Sequence, residues 1–164
     1  MTDRIELEVI EPGIDQVAVG DIAARLAPGS DASVQRGLWY PYFRFDADCS
    51  ARALFGRRGM QLNCLVDGLT GLAATAPSFC STRDAVPRAD VLPASLMPDA
   101  ALLAARRYLA TSLGRGFRTI ADFDIRLADR GTIHKLYWLV AIDDGQVLVD
   151  SLTGGWIPMT ARAA

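Results

Sequence analysis

The chain has 164 residues, 51% of them hydrophobic and 22% charged, with a formal net charge of −2. These values are typical of a globular protein rather than a disordered one, and the length suits one ordinary domain or two small ones that share a core. Sequence-independent binding to phosphate backbones needs a concentrated basic face, so the charge argues against a nucleic-acid partner.

No segment predicts export or a membrane span. Met1–Glu6 carries acidic residues where a secretory signal has a basic region followed by an apolar one. The longest uninterrupted apolar run, Leu136–Ile142, is far shorter than the roughly 20 residues that cross a bilayer. The three cysteines are an odd number without CxxC spacing, which predicts reduced thiols. We therefore expect a cytoplasmic protein.

The first part of the chain predicts a strand, a helix and two further strands. Ile5–Glu11 alternates apolar and charged residues, as a half-buried strand does. Asp15 is a suitable N-cap for the helix that follows. The apolar stripe of that helix has the spacing i, i+3, i+4 and i+7 and consists of Val19, Ile22, Ala23 and Leu26. A central strand is predicted at Leu38–Asp46 and an alternating one at Met60–Asp67.

The second part predicts a linker, a helix and three strands. Residues 77–97 contain several prolines without clear periodicity, as a linker does. Residues 98–114 begin with proline and end with glycine around an apolar stripe, which predicts a helix. Phe123–Leu127 and Leu136–Ile142 are predicted strands, and the Asp-Gly pair within Asp143–Val149 predicts a hairpin.

A hexapeptide occurs twice with five of six positions identical: Val66–Gly71 and Val149–Gly154. A helix and an aromatic strand precede each copy, which favours duplication. The sequence therefore predicts an α+β protein of two related halves, each with one helix packed on a small antiparallel sheet. We place the first repeat at residues 1–76, the linker at 77–97 and the second repeat at 98–164.

This order of a helix, an aromatic strand, a second strand and a closing Val-Asp-x-x-Thr-Gly turn resembles the PepSY-type domain. The resemblance covers most of the chain as two divergent tandem copies. Members of that family are non-catalytic binding or inhibitory modules, often in peptidase propeptides and in exported or membrane-anchored proteins. The chain departs from them in its lack of a visible export signal, so the resemblance implies a PepSY-like fold and a binding role. It transfers no site residue.

The repeated turns contain two sets of residues with turn chemistry. Asp and Thr side chains bond to nearby backbone N–H groups, and Gly adopts positive φ. We expect this structural role for two matching sets, which are Asp67, Thr70 and Gly71, and Asp150, Thr153 and Gly154. The alternative is that Asp67 and Asp150 share a proton or a metal ion.

Aromatic residues concentrate on the two predicted central strands and just after the second turn. Rings on both faces of a central strand place some of them on a second surface, which is either the seam between the halves or a binding groove. The candidate binding residues are Trp39, Tyr40, Tyr42, Trp138 and Trp156.

Cys49, Cys64, Cys80 and the single histidine, His134, are numerically sufficient for a zinc site or for a Cys–His nucleophile pair. Their separations follow no known pattern, so packing is the simpler interpretation. The sequence thus predicts a non-enzymatic accessory module that recognises a protein partner through an aromatic-rich sheet surface, without cofactor, metal or catalytic residues. The alternative is a small Cys/His-dependent enzyme or a zinc-binding protein. Neither the partner nor the oligomeric state can be read from the sequence.

Overall fold

The computed structural model describes residues 3–53, 56–116, 123–143 and 145–159. Within them the chain forms eight strands, two α-helices and one short 3₁₀ helix at Arg88–Asp90. The helices are α1 (Gln16–Leu26) and α2 (Pro98–Gly116). The strands, in chain order, are β1 (Arg4–Ile10), β2 (Ser33–Ala53), β3 (Gly56–Asp67), β4 (Ala73–Ala76), β5 (Ser81–Pro87), β6 (Phe123–Ile142), β7 (Gly145–Asp150) and β8 (Trp156–Pro158).

Both helices lie where the sequence predicts them. Asp15 caps α1, because its carboxylate accepts the N–H of Ala18 at 2.9 Å and satisfies one of the donors that a helix start leaves open. The apolar stripe of α1 faces the core through Val19 and Ala23, which are buried. Neither helix in the described ranges combines the length and apolar character that a membrane crossing requires.

The strands form one mixed sheet in the order β4-β3-β2-β6-β1-β5, and β7 and β8 continue it beside β6. The pair β1 and β6 is parallel at Val9 and His134. The pairs β1–β5, β2–β3, β3–β4, β6–β7 and β7–β8 are antiparallel. The sheet therefore combines strands from the whole chain.

Strand β6 joins two segments that the sequence predicts as separate strands. Leu127, before Gly131, packs with α2, and Val140, after it, packs with α1. Gly131 has a φ of 79°, and its N–H is bonded to Oδ1 of Asp129 at 2.7 Å. Glycine has no Cβ, so Gly131 adopts this positive φ inside the strand without steric cost.

The chain divides into two compact units. Unit 1 contains Met1–Tyr40, Cys80–Leu92 and His134–Ala164, and unit 2 contains Pro41–Phe79 and Pro93–Ile133. Each unit thus takes segments from both of the predicted repeats.

The core of unit 1 forms where α1 covers the β6–β7 hairpin. Val19 and Ala23 of α1 pack on buried valines of the hairpin, namely Val140, Val147 and Val149. The helix comes from the beginning of the chain and the hairpin from its end. Burial of such side chains contributes on the order of 1.5–3 kcal/mol each, so this long-range contact stabilises the unit strongly.

In unit 2, α2 covers the β2–β3 hairpin in the same manner. Its stripe of buried residues packs on the inward-facing side chains of the two strands. These residues are Ala101, Ala105, Leu109 and Leu113 of α2, Phe43, Phe45, Ala47 and Cys49 of β2, and Cys64 and Val66 of β3. Here the helix follows the hairpin in sequence.

The predicted α+β fold with an internal repeat of two helix-on-small-sheet halves is therefore wrong. The structure is dominated by one eight-stranded mixed sheet, and each helix packs on the hairpin from the other half of the sequence. Residues 77–97, predicted as a linker, contain β5, which pairs with β1 over its whole length. In the predicted hairpin, β6 and β7 pair antiparallel, and Asp144 lies outside the described residues.

Candidate functional site

The turn between β7 and β8 is held by bonds from its own side chains. Oδ1 of Asp150 accepts the N–H of Leu152 at 2.8 Å, and Oγ1 of Thr153 accepts the N–H of Gly155 at 3.2 Å. Gly154 has a φ of 70° and donates its N–H to the carbonyl of Asp150 at 2.9 Å. These residues thus orient the chain as it enters β8.

The turn after β3 has the corresponding bonds in unit 2. Oδ1 of Asp67 accepts the N–H groups of Leu69 and Thr70 at 2.8 and 2.9 Å. Oγ1 of Thr70 accepts the N–H of Leu72 at 3.3 Å, and Gly71 has a φ of 76°. The two aspartates lie in different units, each bonded to its own turn.

Asp150 also forms an ion pair with Lys135. Lys135 Nζ donates to Oδ2 of Asp150 at 2.7 Å, both side chains are more than four-fifths buried, and the ammonium lies 5.1 Å from the ring centre of Tyr137. Burial acts to raise the pKa of Asp150, but the hydrogen bonds from Lys135 and Leu152 and the positive charge of Lys135 outweigh it, so that the pKa is lowered. The pair therefore stabilises the base of the turn.

Two of the five candidate binding residues contribute to packing. Trp39 is buried, and it packs in a cluster with Val9, Val86 and Leu136. Trp138 is half-buried, and its indole N–H donates to the carbonyl of Ile14 at 3.2 Å. Both rings pack within unit 1, and little of the surface of Trp39 is accessible to a partner.

The two tyrosines are half-buried, each in a different unit. Tyr40 packs edge to face on Tyr137, with ring centres 5.6 Å apart. Tyr42 lies opposite Asp67 in the β2–β3 pair. Cross-strand contacts of this kind stabilise a sheet, and they leave only part of each ring accessible.

Trp156 differs from the other candidates because half of it is accessible. It belongs to a run of exposed apolar residues on β8 and the turn before it. We call this run the β8 edge surface, and it consists of Leu152 (39% exposed), Trp156 (49%), Ile157 (57%) and Met159 (44%). Isolated exposed apolar residues are ordinary on protein surfaces, but here four of them lie within eight positions along one edge.

The register of the sheet connects the β8 edge surface to the buried core of unit 1. Trp138 of β6, Val149 of β7 and Trp156 of β8 lie opposite one another in one line across the three strands. Directly opposite residues point to the same face, so Trp156 lies on the α1 face beside Val149, which is fully buried. Ile157 points to the other face. The edge therefore presents apolar side chains on both sides.

The backbone of β8 is closed to long strand pairing. Among the described residues, β8 pairs only with β7. The carbonyl of Gly155 and the N–H of Met159 point inward, to Asp150 and Gln146. Antiparallel alternation then directs the backbone groups of Trp156 and Pro158 outward. Since proline has no N–H, the outer edge has one donor fewer, as edge strands that resist aggregation do.

The cysteines and the histidine lie in separate environments. Cys49 and Cys64 are buried in the core of unit 2, whereas Cys80 is exposed and His134 is buried in unit 1. Burial, followed by the proximity of Cys49, raises the pKa of Cys64 to about 11, which keeps its sulfur protonated. Within the described ranges, no three His, Cys, Asp or Glu side chains are grouped closely enough to hold a metal ion.

His134 has an unusual environment for a polar side chain. The residue is 7% exposed, and Nδ1 has no hydrogen-bond partner in the described part of the protein. Burial lowers its pKa, although a hydrogen bond to the backbone of Glu8 opposes this effect. Buried beside β1, it fills the core as a neutral imidazole.

Comparison with known proteins adds no relative to this description. No protein-family model, curated protein or solved structure matches the chain. The resemblance to PepSY-type domains therefore stays a prediction from the sequence.

The sequence analysis did not single out four residues of this region, which are Leu152, Ile157, Met159 and Lys135. Ile157 and Met159 follow the turn within a segment too short to show alternation. Lys135 lies just before the apolar and aromatic run that predicts the strand. The Trp-Ile-Pro sequence after a turn was a usable signal, because a short strand that contains proline is typical of a sheet edge. No local pattern pairs Lys135 with Asp150.

Proposed function

We propose that this protein is a non-catalytic binding module that recognises a protein partner through the β8 edge surface. The observation that carries the proposal is the exposure of Leu152, Trp156, Ile157 and Met159 on one supported edge. Burial of these side chains by a partner removes apolar area from water, at about 25 cal/mol per Å². Tryptophan is also among the residues that most often dominate binding energy at interfaces.

The contacts that hold β8 in place support the proposal. The Asp150 turn sets the start of β8, and the β7 residue next to Trp156 is locked in the α1 core. A strand whose backbone is already held by hydrogen bonds loses less freedom on binding than a flexible segment does, which increases affinity for a given area. An exposed patch on a flexible tail lacks this advantage.

The outward groups of β8 suggest how the partner binds. Pro158 removes one donor from the outer edge, so continuous strand addition is disfavoured. Side chains on both faces of the edge then provide most of the contact. We expect an apolar partner segment that contacts both faces of the edge, around Trp156 and Ile157.

The Cys/His alternative receives less support. A nucleophilic or metal-binding cysteine acts as the thiolate, and the raised pKa of Cys64 opposes that form at neutral pH. The thiol of Cys80 is exposed, but a lone exposed cysteine is not a site.

The test compares proteins that co-purify from the host with the tagged wild type and with the double variant Trp156→Ser, Ile157→Ser. Val17→Ser is the matched control, because Val17 is 77% exposed on α1 of the same unit. We expect a partner that the wild type and Val17→Ser retain and that the double variant loses. Retention of every co-purifying protein by the folded double variant contradicts the proposal. Sedimentation of the purified chain shows whether the partner is a second copy.

A further inference from the structure

Unit 2 contains a polar groove of about 610 Å³ on the sheet face opposite α2. Along β2, Phe43, Phe45 and Ala47 pack with α2, so the alternate residues point to the other face. The groove's volume is within the range of small-molecule sites, about 300–1,000 Å³. Its charged lining comes from Arg44, Asp46 and Asp48 of β2 and from Arg126 and Arg130 of β6.

The ion pairs of Arg126 and Arg130 use only part of each guanidinium group. Nε of Arg130 lies 2.6 Å from Oδ2 of Asp46, and Nε of Arg126 lies 3.4 Å from Oδ2 of Asp124. A guanidinium has five N–H donors. In the described ranges, the terminal amino groups of Arg126 and Arg130 donate to no protein group, and Asp48 forms no ion pair. Ala128 lies between the two arginines on the same strand face and leaves room above the sheet.

The charges of the groove select the class of ligand. The carboxylate of Asp48 repels a ligand that carries only negative charge. The guanidinium groups of Arg126 and Arg130 repel a ligand that carries only positive charge. A ligand with both charges satisfies both. Gln61 and Asn63, opposite Asp48 and Asp46 in the β2–β3 pair, add amide donors and acceptors.

We propose that this groove binds a zwitterionic ligand, with an ammonium and a carboxylate in one molecule, as in a free amino acid or a short peptide. Arg126 binds the carboxylate and Asp48 the ammonium. A second recess of about 290 Å³ shares these two residues and extends the site toward Ser50 and Arg57. The site lies in unit 2 and is independent of the β8 edge surface in unit 1.

The experiment measures binding of four probes to the full chain by NMR titration: triglycine, N-acetyltriglycine, triglycine amide and glycine. N-acetyltriglycine lacks the ammonium, and triglycine amide lacks the carboxylate. Because a hydrogen bond to a charged group contributes more than a neutral one, we expect triglycine to bind at least about tenfold more tightly than either single-charge probe. Glycine distinguishes a free amino acid from a short peptide as the ligand. If glycine binds as tightly as triglycine, the ligand is a free amino acid, and if glycine binds more weakly, the ligand is a peptide.

Two variants test the assigned contacts. Arg126→Gln should weaken triglycine about tenfold and leave triglycine amide unchanged, whereas Asp48→Asn should weaken triglycine and leave N-acetyltriglycine unchanged. Arg107→Gln on α2 and Asp84→Asn on β5 are the exposed controls, and they should change nothing. Three results would overturn the proposal and leave the groove as a solvated sheet face. One is that the wild type does not bind triglycine at millimolar concentration, and another is that it binds N-acetyltriglycine as tightly as triglycine. The third such result is that both folded groove variants bind triglycine with the wild-type affinity.

Discussion

Replacement of Gly154 with alanine should destabilise the protein more than the same change at Gly71 or Gly29. All three glycines have positive φ, at 70°, 76° and 85°. They differ in what a new Cβ would meet. At Gly154 it would lie 3.1 Å from Cδ1 of both Ile14 and Ile22, which belong to the segment that leads into α1 and to α1 itself.

The magnitude follows from two separate costs. A left-handed backbone costs a non-glycine residue about 1–2 kcal/mol, and this is the whole cost expected at Gly29, where nothing lies within 4 Å. At Gly71 the nearest atom, Cδ1 of Leu96, is at 3.7 Å, an ordinary contact that adds little. At Gly154 two isoleucines must shift, and overpacking of this kind typically costs a further 1–3 kcal/mol, roughly. We therefore expect about 1–2 kcal/mol at Gly29 and Gly71 and about 2–5 kcal/mol at Gly154.

Urea unfolding of the three variants measures these differences, provided that the slope m stays constant. Gly20→Ala is the matched control, because Gly20 lies inside α1 with negative φ and open space around it. Alanine is the better helix former by about 0.8–1 kcal/mol, so Gly20→Ala should be neutral or stabilising.

A cost at Gly154 no larger than at Gly71 would refute the reasoning. It would mean that Ile14 and Ile22 do not press on the turn, and that the packing of α1 beside the β7–β8 connection is misassigned. A loss at Gly20 equal to the others would instead point to a general intolerance of added methyl groups.

Three further predictions concern packing, pH and thiol access. Trp39→Ala should lower the free energy of unfolding by about 3–5 kcal/mol, as large core truncations do, and Trp156→Ala should lower it by less than about 1 kcal/mol. Equal decreases for the two variants in urea unfolding would contradict their different burial. Asp150→Asn should lower stability by about 1–3 kcal/mol at pH 7. Because folding lowers the pKa of this carboxyl from 3.8, its contribution is present above that pH and is lost as the pH falls through the folded value. A difference from wild type that persists at pH 2 would show that charge is not the cause. With a thiol reagent, native Cys80 should react at once and Cys64 only on unfolding; rapid reaction of both would show that unit 2 is open.

Local features of the structure were predictable from the sequence alone. The α1 helix follows from the Asp15 cap and a stripe of apolar residues at helical spacing, because hydrogen bonds and periodicity operate within a few residues. The glycine positions in the two turns rest on the same local physics, since φ depends on the immediate backbone. Such signals determine elements and turns, and they carry no information on which elements meet.

Only the tertiary structure decided the pairing of helices with hairpins. The stripe of α1 is compatible with any apolar sheet face, and it packs on Val140, Val147 and Val149 rather than on the hairpin nearest in sequence. Other long-range contacts, with Val9, Val86 and Leu136, bury Trp39, whereas Trp156 remains at an edge. Hydrophobic burial is non-directional. An aromatic residue in the sequence therefore predicts contact with an apolar surface, but it does not predict whether that surface belongs to the same chain or to a partner. The pairing of the strands makes that choice, and some of the paired strands, such as β1 and β6, lie far apart in the sequence.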